Sequence, residues 1–289
     1  MIHAEHVRMS IGDRILLDDV TVNIDKGVRI GLVGINGAGK TTFTRLLSGQ
    51  EMPESVEYSG RIIRKGRIGY LSQDTHVGDQ EQIAKDRILE ARDIAKTLER
   101  IRKAERDMTQ LTGVKQQKAM ERYVRLDQEF TNSGGWAAHA EAAHMAHALG
   151  LGEKELETPI GKLSGGQRRR VELARILFSQ ADTLLLDEPT NHLDHDSIEW
   201  LGEYLQNFSG GFVVISHSEQ LLRDSDSMIW HADAQRHTID IYSMGWQAYQ
   251  RQIVVDNERR KKERAHALKQ AQRLLDQADR MHAKASKAV

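Results

Sequence analysis

The segment 34–42, Gly-Ile-Asn-Gly-Ala-Gly-Lys-Thr-Thr, has the residue types and spacing of a loop that can hold phosphate groups. Its glycines allow tight turns that point backbone N–H groups inward, and a helix beginning at Lys40 would add its positive end. Lys40 supplies a full positive charge, and the Thr41 hydroxyl is an oxygen ligand of the kind that Mg²⁺ prefers. The pattern predicts a nucleotide-binding set of Gly34, Asn36, Gly37, Ala38, Gly39, Lys40, Thr41 and Thr42.

Chemically active side chains follow two apolar runs later in the chain. Residues 183–186 lead directly into Asp187 and Glu188. His217 comes shortly after the apolar run 212–215. Asp187 is a candidate Mg²⁺ ligand, and Glu188 can polarise an attacking water as a general base. Because the carboxyl ends of parallel strands meet at one edge of an open α/β sheet, we expect these side chains to lie near the phosphate loop.

Strands and a helix must position these residues. The run Val28 to Val33 is typical of a buried strand, and a helix is predicted from Lys40 to Leu47. Three earlier runs, Ile2 to Met9, Arg14 to Leu17 and Val20 to Ile24, are rich in β-formers and separated by turn residues. The sequence therefore predicts an α/β core with an antiparallel β flap beside the phosphate loop.

The middle of the chain differs in composition from this core. From Asp79 to Gly150 it is rich in Ala, Glu, Lys, Arg and Gln, which predicts helices with breaks near 112–113 and 132–135. We predict three units, namely a core of residues 1–78 and 151–245, a helical subdomain of residues 79–150, and the start of a charged helical linker at residues 246–289.

The linker is predicted to be one long helix with a narrow apolar seam. Its 3-4 spacing is typical of a coiled coil and runs through Leu268, Ala271, Leu275, Ala278, His282 and Ala285. Ten Lys or Arg stand against four Asp or Glu in residues 257–289, a local excess of six positive charges. Because a lone helix with such a seam is marginal in water, we expect a returning antiparallel arm and a truncated chain.

Composition narrows the classes of protein that fit. The chain has 289 residues, 39% of them hydrophobic, and no apolar run near the length of a membrane span, so it can bury a sizeable core as a soluble protein. Cysteine is absent, which excludes a disulfide framework and a thiolate metal site. A cytoplasmic location is the expectation that follows.

The pentapeptide 163–167, Leu-Ser-Gly-Gly-Gln, follows the phosphate loop by more than a hundred residues. With it, the chain resembles the ATP-binding cassette (ABC) superfamily, and specifically the ABC-F subfamily of soluble, ribosome-associated ATPases. The segment 187–194, Asp-Glu-Pro-Thr-Asn-His-Leu-Asp, is similar to that subfamily's variant, and Gly245-Trp-Gln-Ala-Tyr249 resembles its Gly-x-Tyr-x-x-Tyr segment.

The resemblance implies ATP and Mg²⁺ as ligands and a site completed by a second ABC domain. Catalytic roles would fall to Glu188, to the switch residue His217 and to Gln73, with Thr41, Asp187 and Gln73 around the metal. The D-loop residue Asp194 would link the two sites. The signature residues that would contact the partner's nucleotide are Ser164, Gly165, Gly166 and Gln167. The partner would be a missing second half of the same protein or another copy in a homodimer.

The sequence departs from the family pattern at two positions. ABC domains usually carry an aromatic residue before the phosphate loop that stacks on adenine, and the matching segment here offers only Ile11. The preference between ATP and GTP therefore stays open. ABC-F proteins commonly have Asp after the switch histidine, where this chain has Ser218.

In ABC-F proteins the linker enters the ribosome, where positive charge suits rRNA and tRNA phosphates. The resemblance thus implies a translation factor or an antibiotic-resistance protein that protects the ribosome, and the sequence does not separate the two. The main alternative is the ATPase subunit of a membrane transporter, which shares every phosphate motif. A DNA-maintenance ATPase fits less well, because its motifs lie hundreds of residues apart rather than about 150.

Two smaller clusters have competing interpretations. Three histidines, His139, His144 and His147, share one predicted helix, but no carboxylate or thiolate completes a metal-ligand set. The basic run 168–170 could contact RNA, although such a cluster on a helix is more often a solvated face.

Overall fold

A computed structural model describes residues 1–73, 79–132, 134–225 and 227–285. The predicted division of the chain at residue 78 and the last four residues of the predicted linker lie outside this part. The division into three units stays a prediction, and the α/β fold with its flap, helical subdomain and long C-terminal helix is confirmed.

The larger sheet of the described residues is mixed and has six strands. Its spatial order is β5 (Ile68–Leu71), β6 (Thr183–Asp187), β7 (Gly211–Ile215), β3 (Arg29–Gly34), β8 (Met228–Asp233) and β9 (Thr238–Tyr242). All neighbouring strands are parallel except β8 and β9. The carboxyl ends of β3, β5, β6 and β7 therefore open on the same edge.

The sequence of β6 explains its central place in this sheet. Leu184 and Leu186 pack into a core on one face, and Leu185 packs into a second core on the other. Because side chains alternate between the two faces of a strand, an unbroken apolar run suits a strand that is covered on both sides. The first core contains the helical region, and the second contains the flap.

The flap is a three-stranded antiparallel sheet. Its spatial order is β2 (Arg14–Ile24), β1 (Ile2–Ile11) and β4 (Val56–Arg64). The predicted break between residues 17 and 20 was wrong, because β2 is continuous and the pairing with β1 absorbs the irregularity through register shifts. Strand β4 was missed, since most of its side chains are exposed and give no apolar alternation.

Helices cover the larger sheet and extend from it. They are α1 (Lys40–Ser48), α2 (Ala84–Glu90), α3 (Ile94–Gln110), α4 (Gly113–Asn132), α5 (Ala138–Ala148), α6 (Glu153–Leu156), α7 (Gly165–Phe178), α8 (His195–Asn207), α9 (Glu219–Ser225) and α10 (Trp246–Ala285). Helices α3 and α4 pack against each other, and α7 lies beside α2 and α5. The predicted breaks near residues 112–113 and 132–135 agree with the ends of α3 and α4.

Helix α1 shows how the sequence fixes the element that follows the phosphate loop. Phe43, Leu46 and Leu47 are buried at the spacing of one helical face. The helix ends at Gly49, whose left-handed backbone (φ 82°) lets its N–H bond to the carbonyl of Leu46. Packing of this face anchors the helix whose other end carries the loop.

Helix α10 begins at Trp246, as predicted, and continues to Ala285. Tyr249 is buried near its start, where it contacts β8 and β9 through His231 and Tyr242. Leu268 of the predicted seam is 63% exposed, and the side chains of the other seam residues are outside the described set. No helix in the described ranges combines the length and hydropathy that a membrane crossing requires.

Candidate functional site

The phosphate loop connects β3 to α1 and depends on its glycines. Gly34 (φ 148°) has no room for a side chain, because a Cβ there would lie 2.6 Å from the carbonyl oxygen of Ala232. Gly37 and Gly39 have φ of 80° and 89°, which other residues rarely adopt. The Lys40 ammonium donates to the carbonyls of Gly34 (2.9 Å) and Ile35 (3.1 Å).

A polar cavity of about 400 Å³ opens beside this loop. It is lined by ten of the predicted residues, namely Asn36, Gly37, Gly39, Lys40, Thr41, Thr42, Gln73, Asp187, Glu188 and His217. Asn191 and Ile215 also line it and were not predicted. Residues from four separate segments of the sequence thus meet at the carboxyl edge of the sheet.

Glu188 has an unusual backbone that directs its carboxylate. Its φ is 49°, in the left-handed region, and its N–H donates to the carbonyl of Ile215 at 2.8 Å. Its Oε1 lies 3.3 Å from Nε2 of His217. Strained non-glycine residues cluster at functional sites, and here the strain turns the side chain toward the cavity rather than into the sheet.

Burial in the cavity disfavours the charged forms of both Glu188 and Lys40. Burial raises the pKa of Glu188 above its usual range, and the nearby His217 acts against this shift. Burial lowers the pKa of Lys40, and the carboxylates of Glu188 and Asp187 act against it. An anionic ligand that displaces water would restore a counter-charge to Lys40.

The oxygen groups in this cavity suit a magnesium ion. The Thr41 hydroxyl, the Asp187 carboxylate and the Gln73 side chain line the same space, and hard oxygen ligands are those that Mg²⁺ selects. Asp187 is 1% exposed, at the end of a strand that fixes its position. The residues present therefore fit this ion together with phosphate oxygens.

Comparison with known proteins identifies the family. A family model described as ABC transporter matches residues 17–191, more than half of the chain. The chain belongs to the ABC transporter ATP-binding domain family. Domains of this family bind and hydrolyse ATP.

Several relatives and structures are similar to this ABC domain. The tylosin resistance ATP-binding protein TlrC of Streptomyces fradiae is 34% identical over a match that covers 77% of this chain and 40% of TlrC. The energy-dependent translational throttle protein EttA of Mycobacterium tuberculosis is 33% identical over a match that covers 80% of this chain and 40% of EttA. A solved structure of the ATP-binding subunit of an ABC transporter superposes with a TM-score of 0.61 at 17% sequence identity. The superposition covers 88% of this chain and 93% of that subunit. The chain spans about two fifths of the length of the curated relatives that it matches.

The signature residues of this ABC domain lie away from its own phosphate loop. Ser164 begins α7, where its hydroxyl accepts from the N–H of Gln167 (3.2 Å), and the Gln167 side chain accepts from the N–H of Ser164 (2.9 Å). This reciprocal capping box fixes the exposed helix start. None of residues 164–167 lines the cavity beside Lys40.

Asp194 caps helix α8 and stands outside the cavity as well. Its Oδ1 accepts from the N–H of Ser197 at 2.9 Å. Hydrogen bonds from the Ser197 side chain, and next from its N–H, lower the pKa of the Asp194 carboxyl. A charged N-cap of this kind stabilises the helix by about 1 kcal/mol. The structure therefore gives Asp194 a structural role and leaves its predicted D-loop role as a proposal.

Arg169 of α7 is a residue whose contribution the sequence did not reveal. Its guanidinium is buried and donates to the carbonyls of Ser72 (2.9 Å), Gln73 (2.7 Å), Asp187 (2.5 Å) and Glu188 (3.1 Å). Arg170 is also used internally and donates to the carbonyl of Gly150 at 2.9 Å. Arg169 and Arg170 therefore bond within the protein instead of forming part of a solvated face. Arg169 joins the signature helix to both loops that carry the polar site.

We expect Arg169→Leu to destabilise the ABC domain by about 3 kcal/mol, because four carbonyls lose a charged donor inside the protein. Thermal unfolding would measure this loss, with Arg168→Leu as the control from the same helix. Arg168 is only partly buried, so its substitution should cost much less. Equal melting temperatures for the two variants would contradict the bracing role of Arg169.

One histidine of α5 has an acidic neighbour. His147 lies 3.1 Å from Glu153, an ordinary exposed pair. Among the described residues, no group of three or more His, Asp or Glu side chains could hold a metal ion by itself.

Proposed function

We propose that this ABC domain is the ATP-binding and ATP-hydrolysing cassette of an ABC-F-type protein that acts on the ribosome, as a translation factor or in antibiotic resistance. Hydrolysis would require pairing with a second ABC domain. One observation carries the proposal: the cavity collects Lys40, Asp187, Glu188 and His217 at one edge, yet excludes the signature residues of the same chain.

The chain's own side chains define how hydrolysis would proceed. Lys40 and the loop N–H groups hold the β- and γ-phosphates, and Thr41, Asp187 and Gln73 would hold Mg²⁺, which neutralises phosphate charge. Glu188 would accept a proton from the water that attacks the γ-phosphorus, while the bond from that phosphorus to the bridging oxygen breaks and ADP leaves. His217, 3.3 Å from Glu188, orients that carboxylate and donates toward the γ-phosphate. The raised pKa of Glu188 makes it a better proton acceptor than a solvated carboxylate.

A second ABC domain would supply what the cavity lacks. The capping box uses the N–H groups of Ser164 and Gln167 and fixes the helix start. The Ser164 hydroxyl and the N–H groups of Gly165 and Gly166 would then be the donors for a partner's nucleotide. Placed over the cavity of a partner, they would contact its γ-phosphate, and loss of that phosphate would remove the contact. The partner is a second half of the same protein or another copy of this chain.

The ribosome is proposed as the target from three features. TlrC and EttA, both similar to this chain, are named for tylosin resistance and for throttling translation. The segments 187–194 and 245–249 resemble the ABC-F variants. The exposed cations Lys261, Lys262 and Arg264 of α10 make no ion pair within the described residues, so they are free to meet RNA phosphates.

Ribosome co-sedimentation tests this proposal. We expect the full-length protein carrying Glu188→Gln to pellet with ribosomes in ATP and not in ADP, because binding without hydrolysis holds the closed state. A matched protein with Lys40→Ala added should stay in the supernatant. The ATP-dependent pelleting should weaken with rising salt, as phosphate contacts do.

If the Glu188→Gln protein binds ATP but never pellets with ribosomes, the ribosome proposal fails. The alternative, the ATPase subunit of an ABC transporter, then gains support. The transporter alternative is supported by the family model, which is described as ABC transporter.

A further inference from the structure

Arg14, at the start of β2, faces the phosphate loop from the flap. Leu16, two positions later, packs on the loop, since a Cβ at Gly39 would lie 3.2 Å from the Leu16 Cβ. Alternate residues of a strand share one face, so Arg14 is on that face too. Its Nη2 donates to the carbonyl of Gly37 at 3.0 Å. The flap thus holds a guanidinium at the rim of the loop.

This guanidinium has unused capacity. An arginine side chain has five N–H donors, and the bond to Gly37 occupies one of them. In the described part of the chain Arg14 makes no ion pair, whereas Arg8 on the neighbouring strand lies 3.6 Å from Asp18. Arg14 is also exposed, so its remaining donors are open to a ligand that extends past the cavity rim toward the flap.

We propose that Arg14 binds the phosphate chain of the nucleotide, as a second cation beside Lys40. The inference rests on the proposed nucleotide site. The carbonyl of Gly37 belongs to the glycine-rich loop that is expected to cradle phosphate, so the bond to it holds the Arg14 guanidinium against that loop. Planar guanidinium donors match phosphate oxygens, and the triphosphate brings negative charge that Lys40 alone does not balance.

The base of the nucleotide is the competing target for Arg14. Ile11 is its cross-strand partner, and the exposed Ile11 side chain (40%) lies on the same face. The Arg14 guanidinium, together with the aliphatic side chain of Ile11, could also stack on a purine base. Arg14 is hydrogen-bonded to the phosphate loop, which favours the phosphates over the base as its target. Binding of a ligand that has phosphates but no base would distinguish the two targets.

Binding of ATP and of inorganic tripolyphosphate to Arg14→Ala tests the proposal. We expect both affinities to fall by the same factor, about 10-fold, because both ligands lose a charged hydrogen bond. Arg14→Lys should recover most of the loss, since it keeps the charge. Arg8→Ala is the matched control on the same flap and should bind both ligands as the unaltered chain does.

Each other result has a definite meaning. A loss for ATP without a loss for tripolyphosphate would place Arg14 on the base and overturn the phosphate assignment. Unchanged affinities for both ligands would show that Arg14 only braces Gly37 and would also overturn it. If the unaltered chain bound neither ligand, the nucleotide site itself would be wrong, a failure distinct from that of Arg14.

Discussion

Lys40→Ala should reduce ATP affinity by about 100-fold or more, the largest effect on binding that we expect from one substitution. Removing one partner of a buried charge pair costs about 3 kcal/mol or more, and each 1.4 kcal/mol is about tenfold in affinity. The Lys40 ammonium also donates to the carbonyls of Gly34 and Ile35, and these bonds hold it beside the loop.

Isothermal titration with ATP would measure this change. Lys26→Ala provides the control, because Lys26 is exposed and precedes β3 at the opposite end of that strand from the loop. Its affinity for ATP should match that of the unaltered chain. If Lys40→Ala bound ATP normally while remaining folded, the phosphate cradle would have to be somewhere other than residues 34–42.

The phosphate loop was predictable because its chemistry is local. Its glycines, Lys40 and Thr41 are contiguous, and their spacing alone fixes a turn with inward N–H groups and a helix start. The acids Asp187 and Glu188 could be placed as well, since an apolar run identifies the strand and its direction identifies the edge. Short-range sequence patterns therefore predicted most of the cavity.

The features that sequence analysis missed depend on contacts far apart in the chain. Arg169 touches the carbonyls of Gln73 and Glu188, from segments 96 and 19 residues away, and nothing in a basic run on a helix reveals such partners. Strand β4 has mostly exposed side chains, so its pairing with β1 determines it rather than an apolar pattern. The left-handed backbone of Glu188 is equally invisible in a glutamate.

The long-range contacts of Arg169 also connect the cavity of this chain to the helix that would meet a partner's nucleotide. Arg169 joins the start of α7, where the signature residues lie, to the backbone of Gln73 and Glu188. A movement of the signature helix on meeting a partner's nucleotide would therefore act on the loops beside this chain's own nucleotide. This linkage gives a physical route between the two proposed composite sites, and it runs through backbone carbonyls rather than through conspicuous side chains.

Glu188→Gln should lower the ATP hydrolysis rate by about 100- to 10,000-fold, the range that loss of a general base typically causes. ATP binding should persist, because Lys40 and the loop are intact and the substitution removes a negative charge near the phosphates. Release of phosphate at saturating ATP, from the domain paired with the proposed second ABC domain, would measure the rate. Asn191→Ala, at another cavity-lining position, serves as the comparison and should lose less.

The pH dependence gives Glu188 a second, independent signature. Because burial raises its folded-state pKa above the usual value of 4.5, the base becomes protonated and hydrolysis should fall at a higher pH than for a solvated glutamate. The folded state then binds a proton more readily than the unfolded state, so stability decreases as pH rises from 4.5 through the folded pKa. Gln cannot ionise, and the melting temperature of Glu188→Gln should exceed that of the unaltered chain by a margin that grows over this interval. A margin independent of pH would mean that the Glu188 carboxylate is solvated and not the poised base that its position beside His217 indicates.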